Sequence, residues 1–262
     1  MTIVTSADGT AIGYEQTGDG EVVVIVSGAL STAADAAPLA TALADAGFRA
    51  VSYDRRARGA SGDAAGSAPE REAEDLAAVI GAVGDRPAGV AVLGHSSGAV
   101  LALFAAALGV PVRALFLSEP PFLFDDGDAS DLAGRLQRLV DEGRAEDAVA
   151  TFQIEGVGLP REMVEGLRAA GQLAELAPLA QSTVYDTRLT RQVSTPTLAM
   201  LSVDAPVTVL RGEQTFPVLV AASDRLAPLI HGAELVIVPE SVMHRPDPAA
   251  TARVVAQRLS HG

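Results

Sequence analysis

The 262-residue chain has no cysteine. Disulfides, thiolate nucleophiles and cysteine-ligated zinc or iron–sulfur centres are thereby excluded. Its four histidines, His95, His231, His244 and His261, form no pair at a metal-ligand spacing such as H-E-x-x-H, so no structural or catalytic metal is expected. A phosphate-cradling glycine loop is missing as well. Gly9, Gly13 and Gly18 do not fit G-x-G-x-x-G, and no organic cofactor is expected. Lysine is absent, so all 19 basic residues are arginine. Together with abundant alanine, this reads as the base composition of a high-GC bacterial genome and not as a functional signal.

Long apolar runs are scarce. The longest, Ala99 to Val112, is interrupted by Gly109 and Pro111 and falls short of the roughly 20 residues a membrane span needs, so no membrane partner is expected. The opening MTIVTSADGT has neither a basic n-region nor an apolar h-region, which predicts no signal peptide and a cytoplasmic protein. Positive charge is outnumbered. Thirty-three acidic against 19 basic residues leave a formal net charge of −14, which repels a polyphosphate backbone and argues against nucleic acid as a partner.

What is present is an ordinary globular composition, 48% apolar and 20% charged, long enough for one domain or one domain with an insertion. After a turn at Asp8-Gly9, Ile12–Thr17 alternates apolar and polar residues and predicts an edge hairpin with Thr2–Thr5. Val22–Val26 is a continuous β-branched run, suited to a strand buried on both faces of a parallel sheet. Alternation continues with a helix at Ala33–Ala46, a strand at Phe48–Tyr53, a helix at Pro69–Val83, a strand at Gly89–Leu93, a small-residue helix at Ser97–Leu108 and a strand at Val112–Leu117. From Phe122 to Val203 the pattern turns mostly helical. Strand–helix alternation resumes at Val207–Leu210, Val218–Ile230, Glu234–Val238 and Pro248–Leu259. The expected fold class is α/β, a mostly parallel sheet with helices on both faces. The expected organisation is a core over residues 1–121 and 206–262, with a helical cap inserted at 122–205.

The chemistry concentrates at Gly94-His95-Ser96-Ser97-Gly98, a match to G-x-S-x-G placed after a buried strand and before a helix. Such a turn strains the serine backbone. Its flanking glycines are required because side chains there would collide with neighbouring backbone, and the helix N-terminus offers unsatisfied N–H groups nearby. Ser96 is the candidate nucleophile. His244, in the loop after the last strand and before the closing helix, is the candidate base. His95 is expected to pack or hydrogen-bond, and His231 and His261 to be exposed.

Taken in order, these pieces resemble the α/β-hydrolase superfamily over nearly the whole chain. Val22–Val26 followed by Ser27-Gly28-Ala29 is similar to the family's strand and His-Gly-x turn, with serine in place of the usual histidine. Tyr53-Asp54-Arg55-Arg56-Ala57-Arg58-Gly59-Ala60-Ser61 resembles its Asp-x-Arg-Gly-x-Gly-x-Ser stretch. The resemblance implies an oxyanion hole built from the backbone amides of Ala29 and Ser97, and a carboxylate behind His244. In many members that acid stands in a Gly-x-x-Asp loop after the strand equivalent to Val207–Leu210. Here the loop reads Gly212-Glu213-Gln214-Thr215, with Thr215 at the expected aspartate. Other members carry the acid at the end of the strand after the nucleophile helix, where this chain has Ser118-Glu119-Pro120-Pro121. Glu119 is therefore the candidate acid, with Glu213 as the alternative. Asp224, inside a predicted helix, is expected to be solvated. Asp54 with Arg55, Arg56 and Arg58 is expected to form a loop stitched by Arg–carboxylate hydrogen bonds.

The expected reaction is nucleophilic acyl transfer on a small-molecule substrate: a small or medium, largely apolar ester, lactone or thioester that acylates Ser96. The apolar preference rests on Phe122, Leu123, Phe124, Phe152 and Met163 near the cap. A carbon–carbon bond hydrolase or a cofactor-free perhydrolase would use the same triad, and a non-catalytic small-molecule binding module would keep the fold. A dehalogenase or epoxide hydrolase of this fold needs an aspartate nucleophile, which Ser96 is not. Nothing in the sequence bears on oligomeric state.

Overall fold

The computed structural model describes residues 1–64, 68–84, 89–124 and 131–260, so His261 lies outside the described residues. One sheet organises the chain. Its strands are β1 (Thr2–Thr5), β2 (Ala11–Thr17), β3 (Glu21–Val26), β4 (Phe48–Tyr53), β5 (Val90–His95), β6 (Val112–Ser118), β7 (Val207–Gln214) and β8 (Glu234–Val242). They lie in the order β1-β2-β4-β3-β5-β6-β7-β8. β2 runs antiparallel to both β1 and β4, and every other pair is parallel.

The β-branched runs behave as buried parallel strands should. Along β3, Val22, Val24 and Val26 enter one apolar cluster and Val23 and Ile25 the other. Along β5 and β6 the same division separates Val90, Val92, Leu115 and Leu117 from Ala91, Leu93, Ala114 and Phe116. With a side-chain period of two and both faces covered, the middles of these strands are apolar, and their polar residues Glu21, His95, Arg113 and Ser118 lie at or near the ends. Helices α1 (Ala37–Asp45) and α11 (Pro248–Leu259) cover one face, and α2 (Pro69–Val83), α3 (Ser97–Ala107) and α10 (Pro217–Leu226) cover the other. In α2, Pro69 opens the first turn beside Glu70 and Glu72, while Ala73, Leu76, Val79, Ile80 and Val83 form the buried stripe. In α3, by contrast, Ser97 through Ala105 are all buried, as expected of a helix made of small and apolar residues.

Between β6 and β7 the described chain is helical: α4 (Leu132–Asp141), α5 (Ala145–Thr151), α6 (Arg161–Ala169), α7 (Gln172–Leu176), α8 (Ala180–Gln192) and α9 (Leu198–Leu201). These helices have their own apolar cluster, and Ala29, Leu30 and Ala57 pack against it. The insertion thus rests on the loops that follow β3 and β4, at the carboxyl edge of the sheet. Among the described residues no helix is long and apolar enough to cross a membrane.

Two expectations need correction. The segment Gly212-Glu213-Gln214 is strand and not loop, because β7 continues past Leu210 by pairing Gly212 with Val238 and Gln214 with Val242 across a bulge. The apolar residues proposed to face a substrate are mostly committed elsewhere. Phe122 belongs to the sheet core and Phe152 to the core of the inserted helices, whereas Leu123 and Met163 are exposed.

Strand order also locates a crevice. The chain leaves β3 toward β4 on one side and returns to β5 on the other. Loops diverge at such a switch point, and ligands of open α/β sheets bind outside the strand carboxyl ends there. Ser27-Gly28-Ala29 and Ser96 follow those two strand ends directly.

Candidate active site

Ser96 joins β5 to α3 with φ 55° and ψ −128°, a backbone conformation that disfavours L-residues. The turn is held by neighbours on both sides. Its amide donates to the Ser118 carbonyl at 2.9 Å, and its carbonyl accepts from the Ala99 amide at 2.9 Å. A Cβ at Gly98 would lie 2.1 Å from the Val26 carbonyl oxygen, so no larger residue fits there. Gly28 closes the other side: a Cβ on it would stand 2.9 Å from Ser96 Cβ and 3.5 Å from Ser96 Oγ. The β3 turn is thereby packed against the Ser96 side chain. Ser97 is the first residue of α3, so its amide is among the donors an α-helix leaves unsatisfied.

Glu119 follows β6, and His244 follows β8. The two meet at 2.5 Å between Glu119 Oε2 and His244 Nδ1. The Glu119 carboxylate also accepts from the Gly212 amide at 2.9 Å on Oε1 and from the Thr215 hydroxyl at 3.0 Å on Oε2. Burial alone raises a carboxyl pKa. Here the hydrogen bonds from His244, Gly212 and Thr215 outweigh it and hold Glu119 below the ordinary glutamate range. The alternative acid, Glu213, is exposed. Asp224 forms an exposed ion pair with Arg211 at 2.7 Å.

His95 lies beside His244. Its ring centroid lies 4.5 Å from that of His244, and its Nδ1 lies 3.3 Å from Ser118 Oγ. Burial, helped by the neighbouring His244, pushes its pKa down to about 3, so it stays uncharged beside the His244 ring. His231 is exposed.

Backbone strain concentrates around this site. Among the described residues, the non-glycine positions with positive φ are Leu30, Ala57, Ser96, Glu119, Phe124, Met243 and His244. Each follows the carboxyl end of a parallel strand. Of these, the sequence marked only Ser96, through the glycines of its G-x-S-x-G turn.

Sequence reasoning also missed where the arginines go. Asp54 accepts backbone amides, from Ala33 at 2.7 Å and Ala60 at 2.8 Å, and takes no arginine. Arg56 instead binds Asp75 through Nε and Nη2, both at 2.7 Å. Arg55 reaches Glu72 at 2.7 Å, and both Arg55 and Arg58 reach Asp186 of α8, at 2.8 and 2.7 Å. All of these side chains except Asp54 lie on different elements from their partners, so a local reading of the loop had no access to them.

No group of His, Asp and Glu residues that would hold a metal ion occurs among the described residues. A cleft of about 590 Å³ opens beside the β3 turn, between Leu30, Ala57 and Arg58 on one wall and Leu176, Pro178 and Leu179 on the other.

Residues 23–257 match the model of the α/β-hydrolase family. Comparison with proteins of curated function gives no match. Among solved structures, the chain is similar to an α/β-hydrolase from Sphaerobacter thermophilus, at 39% identity over 98% of this chain and 100% of that one, with a TM-score of 0.89. Its fold is also shared by a thermophilic esterase from Thermogutta terrifontis (22% identity, 99% of this chain, 96% of that one, TM-score 0.71). The enol-lactonase from Burkholderia xenovorans is a further case (18% identity, 98% of each chain, TM-score 0.68).

Proposed function

The chain belongs to the α/β-hydrolase family of enzymes, and from that premise we propose that it hydrolyses a small or medium ester, lactone or thioester through an acyl-enzyme on Ser96. The observation that carries this reading is the short contact between His244 Nδ1 and a buried, triply hydrogen-bonded Glu119. An acceptor-only carboxylate at Nδ1 fixes the proton there and leaves Nε2 with its lone pair, the tautomer a general base needs.

In the proposed reaction, His244 Nε2 takes the Ser96 hydroxyl proton as Oγ attacks the substrate carbonyl carbon. Negative charge then gathers on the former carbonyl oxygen, where the Ala29 and Ser97 amides would receive it, each donor being worth about 3 kcal/mol. Collapse of this intermediate breaks the bond to the leaving group, which departs with the proton from His244. Water then loses a proton to the same nitrogen and attacks the acyl carbon; the bond to Ser96 Oγ breaks, His244 returns the proton to Oγ, and the acid is released. Glu119 remains ionised throughout and stabilises the transient imidazolium. The inserted helices at 122–205 act in this reading as a cap over the acyl site.

Labelling with a fluorophosphonate and peptide mass spectrometry tests the proposal. The adduct is expected on Ser96, and Ser96→Ala is expected to fold normally with p-nitrophenyl ester hydrolysis reduced by about a million-fold, to the level of a triad knockout. An adduct on Ser97, or turnover in Ser96→Ala equal to wild type, refutes it. Absence of both labelling and ester, lactone or thioester turnover in the wild type would favour a binding module instead.

A further inference from the structure

Behind the two strand ends of the site lies a buried ionic cluster centred on Asp186 of α8, which is 1% exposed. Asp186 Oδ1 accepts from the Ser97 hydroxyl at 2.7 Å and from Arg55 Nη1 at 2.8 Å, and Oδ2 accepts from Arg58 Nη2 at 2.7 Å. The arginines extend the cluster into the β3 turn. Arg58 Nη1 donates to the Gly28 carbonyl at 2.6 Å and to the Ser31 carbonyl at 3.1 Å, while Arg55 Nη1 donates to the Ser27 carbonyl at 3.3 Å. Burial pushes the Asp186 carboxyl up, but Arg55, Arg58 and the Ser97 hydroxyl outweigh it and keep the group anionic.

The consequence lies in the geometry of one peptide unit. The Gly28 carbonyl and the Ala29 N–H belong to the same planar trans amide and point in opposite directions. A guanidinium fixed on the Gly28 oxygen therefore sets the direction of the Ala29 N–H. A charged donor on the carbonyl also polarises the amide and strengthens its N–H as a donor. On the other side, the bond from Ser97 Oγ to Asp186 ties down the residue whose amide is the second donor. One carboxylate from the inserted helices thus anchors both amides, Ser97 directly and Ala29 through Arg58.

We infer that Asp186 is a positioning residue for the oxyanion hole, so that the inserted helices shape the transition-state site as well as covering it. The inference rests on the acyl-transfer reading above. A strut that merely joins helices to core would contribute to stability alone, whereas a positioning role acts on charge that develops during reaction. Misplacement of a reacting group by about 1 Å costs about 100-fold in rate.

Asp186→Asn, with a similar shape but a single acceptor oxygen, is expected to lower kcat about 100-fold while KM for a p-nitrophenyl ester changes less than about threefold. Affinity for an alkyl boronic acid, which forms a tetrahedral adduct, is expected to fall in parallel with kcat/KM. The midpoint of the pH–kcat/KM profile is expected to stay, since Asp186 touches neither His244 nor Glu119. A folded Asp186→Asn enzyme with kcat and boronate affinity within threefold of wild type overturns the inference, whatever happens to Tm. Should that variant fail to fold, Ser97→Ala removes one neutral hydroxyl from the same cluster. A loss of roughly tenfold in kcat at constant KM supports the role, and kcat within twofold of wild type overturns it. Fluorophosphonate labelling separates the two layers. An unlabelled, inactive wild type defeats the acyl-transfer reading, whereas a labelled wild type with equally fast labelling of Asp186→Asn defeats this inference alone.

Discussion

Replacing Glu119 with glutamine removes one charge and exchanges an acceptor oxygen for a donor. The surroundings determine the outcome. Glu119 Oε1 faces the Gly212 N–H, and Oε2 faces both His244 Nδ1 and the Thr215 hydroxyl. If the glutamine oxygen stays on Gly212, its NH₂ group meets His244 Nδ1. That nitrogen must then become an acceptor, and the ring proton moves to Nε2, where it cannot receive a proton from Ser96. If the amide turns over, NH₂ faces the buried Gly212 N–H, leaving two donors opposed at a cost of about 1–3 kcal/mol. Neither orientation preserves the productive tautomer without penalty. The equivalent Asp→Asn change in a serine-protease triad costs about 10⁴-fold. We expect a loss of 10³- to 10⁴-fold in kcat for Glu119→Gln, about 4–5.5 kcal/mol of barrier. Initial rates with p-nitrophenyl butyrate, corrected for folded fraction by circular dichroism, measure it. Glu213→Gln is the control and should keep kcat within twofold, because Glu213 is exposed. A folded Glu119→Gln enzyme within tenfold of wild type refutes the reasoning, as does a Glu213→Gln enzyme that loses activity.

The remaining predictions are simpler. Because the folded state holds the Glu119 carboxyl below its ordinary value, its contribution to stability is present above about pH 4.5 and disappears as pH falls through the folded-state value. The Tm gap between wild type and Glu119→Gln at pH 7 should therefore narrow below pH 4.5, and a gap that widens there contradicts the assignment. Gly28→Ala would set a methyl group 2.9 Å from Ser96 Cβ and 3.2 Å from the His95 carbonyl oxygen. That crowding should cost about 1–3 kcal/mol in stability and at least tenfold in kcat, both readable in one thermal melt and one rate assay. Activity should survive exhaustive dialysis against EDTA, and its restoration by an added divalent ion would contradict the cofactor-free reading.

Legibility in the sequence followed from how local each feature is. The parallel strands were readable because β3, β5 and β6 bury both faces, which leaves uninterrupted apolar runs, and the elbow because glycines must flank Ser96 where backbones nearly touch. The pairing of Glu119 with His244 was reachable only through the family resemblance, which puts a carboxylate at that strand end. Asp186 was not legible. In α8 the buried residues include Ser182, Thr183, Asp186 and Thr187, a polar stripe that any helical pattern assigns to solvent. The hydroxyls turn inward at low cost because they bond back to their own helix: Ser182 to Leu179, Thr183 to Ala180 and Thr187 to Thr183. Asp186 turns inward because Arg55 and Arg58 meet it there, and that pairing spans 131 and 128 residues. Periodicity carries no information about such long-range charge compensation.

Thr215 stands 3.0 Å from the Glu119 oxygen that contacts His244. Positions 119 and 215 are therefore two addresses on neighbouring strands for one negative charge. A gene that acquired aspartate at 215 while retaining Glu119 would hold two carboxylates at close range. Such a pair lowers its repulsion by sharing one proton, which leaves a single anion to serve the imidazole. In the acyl-transfer reading above, Thr215→Asp would therefore offer a second carboxylate to the same imidazole.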